Sequence, residues 1–234
     1  MPSKRGTQHE AEQRTSGRGS RDLEALVQAI ETEGVRDRRV LDAFRRVPRE
    51  RFVPAGWSAR AYEDRPIPIG HGQVTTQPSL IARMVAGLGL EGEERVLEVG
   101  TGLGFQSAIL AMLSKEVISI ERFPDLAERA RRNLEAADVP GVTVVVGDGT
   151  KGFPERAPFD ATVVSAAAPD VPQPLVEHLT EGGGLVHPLG PGGYEIVIAY
   201  RKRGGRLVEE ARLTPASFVP LVGEYGLPEE RFQR

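Results

Sequence analysis

The chain is predicted to fold as one α/β domain. The expected architecture is a mostly parallel, twisted sheet with helices on both faces, extra N-terminal helices and an antiparallel C-terminal edge. Three observations carry this expectation. From Arg95 onward, short apolar runs alternate with amphipathic helical segments, the pattern of a parallel sheet covered on both sides. Before that point the apolar spacing is helical only. After Gly190, two strand-like runs (194–202 and 206–213) flank Arg203-Gly204-Gly205, which reads as a hairpin.

The elements follow in order. Residues 1–20 hold almost nothing apolar and are expected to be a disordered tail. Leu23, Leu26, Val27 and Ile30 recur at helical spacing and Gly34 supplies the stop; Val40, Leu41, Phe44 and Val47 form a second helix ended by Pro48. A long connection rich in Pro and Gly follows, RFVPAGWSARAYEDRPIPIGHGQVTTQP, of the kind that carries function. Residues 79–90 are helical again. Strands are expected at 95–99, 117–121, 142–146, 159–165 and from 184. Between them, helices are expected at 106–114, 124–137 and 172–179, the last stopped by Gly182-Gly183-Gly184. Residues 21–234 thus form one domain: helices and a loop over 21–90, a ligand-binding core over 91–190, and a C-terminal hairpin segment over 191–234.

Composition narrows the function. Hydrophobic residues make up 39% and charged residues 27%, with net charge −3, so no bulk basic field for nucleic acid is present. With no cysteine, thiolate chemistry and disulfides are excluded, and four scattered histidines show no metal-ligand spacing. No apolar run approaches the roughly 20 residues that span a bilayer. A cytoplasmic monomer without metal is expected.

The most informative segment is Val96-Leu97-Glu98-Val99-Gly100-Thr101-Gly102-Leu103-Gly104-Phe105. Alternating glycines let the backbone turn tightly and let a ligand approach it, at a helix N-terminus. A dinucleotide fingerprint wants Gly or Ala where Phe105 stands. Glu98 would repel a pyrophosphate but suits the ammonium of an amino-acid tail, directly or through water. Glu121 ends the next strand and can accept two ribose hydroxyls. Asp148, between Gly147 and Gly149, ends the third and can accept an adenine amino group. Each acid alone has a plain structural reading. Three at successive strand ends after a G-x-G-x-G loop point to S-adenosyl-L-methionine in a Rossmann-like methyltransferase. Glu98, Gly100, Thr101, Gly102, Gly104, Glu121, Asp148 and Gly149 are the expected cofactor residues.

The chain resembles the protein-L-isoaspartate (D-aspartate) O-methyltransferases. The carriers include Val47-Pro48-Arg49, Arg51-Phe52-Val53-Pro54, Ala61-Tyr62-Glu63-Asp64, Pro66-Ile67-Pro68-Ile69-Gly70, Gln77-Pro78, Ala166-Ala167-Ala168-Pro169 and Phe218-Val219-Pro220-Leu221. The resemblance implies methyl transfer to the free α-carboxylate of isoaspartyl (and D-aspartyl) residues in damaged proteins, the ester then closing to a succinimide. Extra N-terminal helices and a modified C-terminal end are implied as well. The family usually has serine before Gln-Pro, near the reacting groups, where this chain has Thr76; the resemblance makes Thr76 the catalytic position. Thr76 leaves two alternatives: another carboxylate or peptide acceptor, or a weakly active cofactor-binding relative. The resemblance also implies a substrate site from Ile69, Val74, Thr75 and Thr76 on one side and Ala167, Val219 and Pro220 on the other.

Overall fold

The computed structural model describes residues 5–190 and 193–228, the side chains of 5–18 excepted. Its first helix, α1 (Arg5–Thr32), begins well before the apolar periodicity at Leu23. Most of the segment expected to be a disordered tail is therefore helical backbone; residues 1–4 of it lie outside the described residues. The run from Arg5 to Thr32 contains no proline and many good helix formers, which explains how the helix extends past its apolar face. Helix α2 (Arg38–Arg46) is capped by Asp37, whose side chain accepts from the N–H groups of Arg39 and Val40. Helix α3 (Pro78–Leu88) has Pro78 in its first turn and ends at Gly89, in the left-handed region.

The long connection between α2 and α3 is more ordered than its composition suggests. Two 3-10 turns (Arg49–Phe52 and Ala55–Arg60) lead into a small hairpin of β1 (Ile67–Gly70) and β2 (Gln73–Thr75). Pro66 and Pro68 hide it in the sequence, because proline argues against a strand. Pro68 sits on the exposed side, while Ile67 and Ile69 turn inward.

The main sheet has seven strands: β3 (Arg95–Val99), β4 (Glu116–Glu121), β5 (Val142–Val146), β6 (Phe159–Val164), β7 (Leu179–Leu189), β8 (Glu195–Arg203) and β9 (Arg206–Ala216). Their order is β5-β4-β3-β6-β7-β8-β9; the first five are parallel and the last two antiparallel. The expected antiparallel edge is thus present. Strand β7 starts at Leu179, before the glycines expected to stop a helix, and α6 is shorter than expected (Gln173–Glu177). A register irregularity between Phe159 and Ala161 absorbs the glycine run inside the strand.

Helices cover both faces unequally. On one face α1, α2, α3, α4 (Phe105–Ala111) and α5 (Pro124–Ala136) bury Ile30, Phe44, Met84, Ile109 and Ala130 against Val96, Val117, Val163 and Val186. On the other, Leu97, Ile118, Val164 and Leu185 meet Leu175 of α6 and Leu221 of the C-terminal segment. Each such large apolar side chain stabilises the fold by about 1.5–3 kcal/mol when fully buried. The order in which the chain adds strands reverses between β3 and β6, the place where such sheets bind ligands at their carboxyl ends.

Candidate active site

A cavity opens at that place. It has about 100 Å³ of room for water-sized groups and opens outward into solvent. Its floor is the glycine loop. Gly100 and Gly102 have φ of 98° and 56°, which L side chains rarely adopt, and a Cβ on Gly100 would lie 3.3 Å from Ser165 Cβ. Of the expected cofactor residues, Gly100, Thr101, Gly102, Glu121 and Gly149 line the cavity.

Glu121 ends β4 with its side chain on this wall. One oxygen accepts from Gly102 N–H at 2.8 Å and the other from Phe123 N–H at 3.1 Å. Burial holds its carboxyl above the usual range, while those N–H groups favour the charged form. Lone pairs that these backbone groups leave unoccupied remain for ribose hydroxyls. Ile120, Leu126, Leu221 and Val222 supply apolar wall for a flat ring. This donor and acceptor set fits S-adenosyl-L-methionine.

Three expected cofactor residues stand elsewhere. Glu98 is wholly buried behind the loop. Its Oε1 accepts from Gln106 Nε2 at 3.0 Å; its Oε2 accepts from Ser119 Oγ at 2.6 Å and from Ser107 Oγ. Any influence on an ammonium group passes through Gln106, which does line the cavity. Asp148 is turned away from the cavity. Its Oδ1 accepts from Thr150 N–H at 2.9 Å and Thr150 Oγ at 2.6 Å, and its Oδ2 from Glu224 N–H at 2.8 Å. It clamps the C-terminal segment, 76 residues away in sequence. Gly104 caps α4 in the left-handed region and packs against Leu134 and Ala130 of α5.

On the acceptor side, Ile69, Val74, Thr75, Thr76, Val219 and Pro220 all line the same cavity. Ala167 does not. Its backbone ties the C-terminal segment to the end of β6, donating to Val219 O at 2.8 Å and accepting from Leu221 N–H at 2.7 Å. Thr75 Oγ accepts from Ile67 N–H at 3.1 Å, so that hydroxyl helps close the hairpin. Thr76 Oγ has no protein partner among the described residues. It does not cap α3: Asp64 does, taking Ser79 N–H at 2.8 Å and Gln77 Nε2 at 2.8 Å. A second cavity, lined by Arg83, Gln77, Ser79, Phe218 and the 214–217 segment, meets the first along Val74, Thr76, Ser165 and Val219.

Sequence reasoning missed three residues. Arg49, 1% exposed, donates to the carbonyls of Glu63 (2.9 Å), Arg65 (3.2 Å) and Ala61, and to Thr75 Oγ at 3.4 Å. It holds the substrate loop from beneath, and burial lowers its pKa to about 10. Ser165 lines both cavities, and Gln106, in the first, donates to it. The only available signal was that Gln106 and Ser107 are the polar residues of an otherwise apolar helix, FQSAILA. His71 is an exposed loop residue whose ring stacks on Phe123 and whose Nε2 lies 2.9 Å from Asp125.

A parallel sheet with a glycine loop after its first strand, an acid closing the next strand and a joined acceptor cavity define a Rossmann-like, S-adenosylmethionine-dependent methyltransferase. The family model for protein-L-isoaspartate(D-aspartate) O-methyltransferase matches residues 21–226, and the chain belongs to this family. A protein-L-isoaspartate O-methyltransferase of Methanoculleus marisnigri is 50% identical over 207 residues, covering 88% of this chain and 94% of that one. A solved protein-L-isoaspartate O-methyltransferase superposes with a TM-score of 0.77 at 28% identity, covering 87% of this chain and 67% of that one. A Plasmodium falciparum protein in complex with S-adenosyl-L-homocysteine has the same fold (TM-score 0.71, 24% identity, 85% and 97% coverage).

Proposed function

We propose that this chain methylates the α-carboxylate of L-isoaspartyl and D-aspartyl residues in damaged proteins, which starts repair through a succinimide. The observation that supports this reading is the junction of two cavities at Val74, Thr76, Ser165 and Val219. One cavity suits the cofactor and the other admits a peptide from the surface. Glu121 would hold the ribose, Gly100, Thr101 and Gly102 the approach of the amino-acid tail, and Gly149 the ring side.

Bound S-adenosyl-L-methionine supplies an activated methyl group, whose C–S bond breaks as a C–O bond to the acceptor forms. An α-carboxylate, with a pKa of about 3.5, is already ionised at neutral pH. The protein therefore needs no strong base; it must orient the attack and exclude water. Thr76 offers a free hydroxyl at the junction, and Ile69, Val219 and Pro220 supply a dry wall. Acceptor contacts come mainly from a loop and small apolar groups, which suits damage sites in many sequences. The reading extends to a monomer that acts in the cytoplasm. Among the described residues no helix is long and apolar enough to cross a membrane.

The test is transfer of labelled methyl to paired peptides carrying isoaspartate or aspartate at one site. Base-labile label in the isoaspartyl peptide alone is expected. Equal labelling, or none with cofactor binding intact, overturns the reading.

A further inference from the structure

The wall shared by the two cavities carries a second hydroxyl besides Thr76. Ser165 follows directly after β6, and its N–H donates to Val99 O at 2.8 Å, so it is pinned between the ends of the two central strands. Its Oγ accepts from Gln106 Nε2 at 2.9 Å. An amide nitrogen donates and does not accept, so Ser165 must send its own proton elsewhere. No described residue takes it.

With Glu98 ionised, Gln106 cannot reverse this polarity. The same Nε2 also faces Glu98 Oε1 at 3.0 Å, and the other oxygen of that buried carboxylate already accepts from Ser107 and Ser119. The bonds run in one direction: Glu98 fixes Gln106, Gln106 occupies a lone pair of Ser165, and the Ser165 O–H is left for a ligand. Ser165 is half-buried, and both cavities touch it.

We propose that Ser165 is a substrate-binding residue whose hydroxyl donates to the acceptor carboxylate at the junction, with Gln106 and Glu98 as the positioning residues that aim it. This rests on the carboxylate acceptor of the preceding section. It gives the buried acid of the glycine loop a task on the acceptor side as well as beside the cofactor.

The charge of the acceptor sets the signature. A carboxylate loses its charge as the ester forms, so a hydrogen bond to it is stronger before reaction than in the transition state. Such a bond serves binding and orientation more than the barrier. Ser165→Ala is expected to raise KM for an isoaspartyl peptide about tenfold, the scale of one hydrogen bond to a charged group, with kcat changed less than about threefold. By calorimetry it should weaken the peptide about tenfold on the S-adenosylhomocysteine complex and leave S-adenosylhomocysteine affinity unchanged. Ser165→Thr, which keeps the hydroxyl, should restore both values. Unchanged peptide affinity in Ser165→Ala, or an equal loss for S-adenosylhomocysteine, overturns the proposal. An inactive wild-type chain would instead overturn the acceptor assignment itself.

Discussion

Gln106 Nε2 lies 3.0 Å from Glu98 Oε1 in the interior, so the carboxylate behind the glycine loop touches the cavity only through an amide. Burial pushes the Glu98 carboxyl up to about 7 from its usual 4.5, against the bonds donated by Ser107, Ser119 and Gln106. A folded-state pKa above the unfolded value means stability that is present below pH 4.5 and lost as pH rises through 7. Glu98→Gln should remove that slope. Between pH 5 and 8 the wild type should lose up to about 3 kcal/mol relative to the variant. Urea midpoints at the two pH values measure it, and parallel curves would contradict it.

Arg49 serves three loop carbonyls with a charge that has no carboxylate in contact. Its guanidinium also lies 5.6 Å from the Phe105 ring centroid, linking the substrate loop to the first residue of α4. Arg49→Met keeps much of the stem but strands those acceptors. A loss of about 2–4 kcal/mol is expected, since each buried unpaired polar group costs about 1–3 kcal/mol. Thermal unfolding reads the loss. Faster proteolysis within residues 61–75 should accompany it; a destabilised protein with an equally protected loop would place the role of Arg49 elsewhere.

Much of this organisation was legible in the sequence. Period and punctuation give the parallel strands, because each is short, apolar and bounded by turn residues. The glycine loop and Glu121 are readable because tight backbone turns and ribose hydroxyls restrict residue type. What stayed hidden depends on partners distant in sequence. Nothing local says that Glu98 is sealed off by two serines and a glutamine, or that Asp148 turns toward Glu224. The hairpin of β1 and β2 is masked by its own prolines. Ser165 belongs to no motif, and its importance comes from where the ends of β3 and β6 meet.

Asp148 tests how the C-terminal segment closes the cavity. Gly223 passes so close that a Cβ there would fall 2.1 Å from Asp148 Oδ1. Leu221 and Val222, which line the cavity, immediately precede it. Gly223→Ala and Asp148→Ala should therefore share a phenotype: easier cleavage within residues 219–227 and cofactor affinity reduced about tenfold, equivalent to about 1.4 kcal/mol. If Asp148→Ala alone lost affinity while the segment stayed protected, Asp148 would be contacting the adenine, as its position at a strand end first suggested.

His187 lies near the C-terminal end of β7, fully buried, and neither ring nitrogen has a hydrogen-bond partner among the described residues. Burial lowers its pKa to about 3 from the usual 6.5. The unfolded chain takes up the proton first, so stability present above pH 6.5 is lost as pH falls toward 3. The slope is opposite to that of Glu98, so the two partly cancel near pH 5–6. In a Glu98→Gln background the His187 term should stand alone, costing about 2 kcal/mol between pH 6.5 and 5. Adding His187→Leu should abolish that decline in urea unfolding; an unchanged decline would assign it to other groups.

Thr76 is the residue on which turnover should depend most. Its hydroxyl reaches the junction without a protein partner, and the capping of α3 falls to Asp64, so its removal should cost little stability. Thr76→Val preserves shape and β-branching while deleting the donor. Its kcat should fall about 10- to 100-fold, the scale on which misplacing the acceptor by about an ångström slows an oriented in-line attack, with a melting temperature within a few degrees of wild type. Thr76→Ser restores the hydroxyl and frees χ1. It should match or exceed the wild-type rate, because the extra methyl contributes packing but no hydrogen bond. Full activity in Thr76→Val would transfer the orienting role to Ser165, while a slower Thr76→Ser would show that the threonine methyl helps fix the hydroxyl in its productive rotamer.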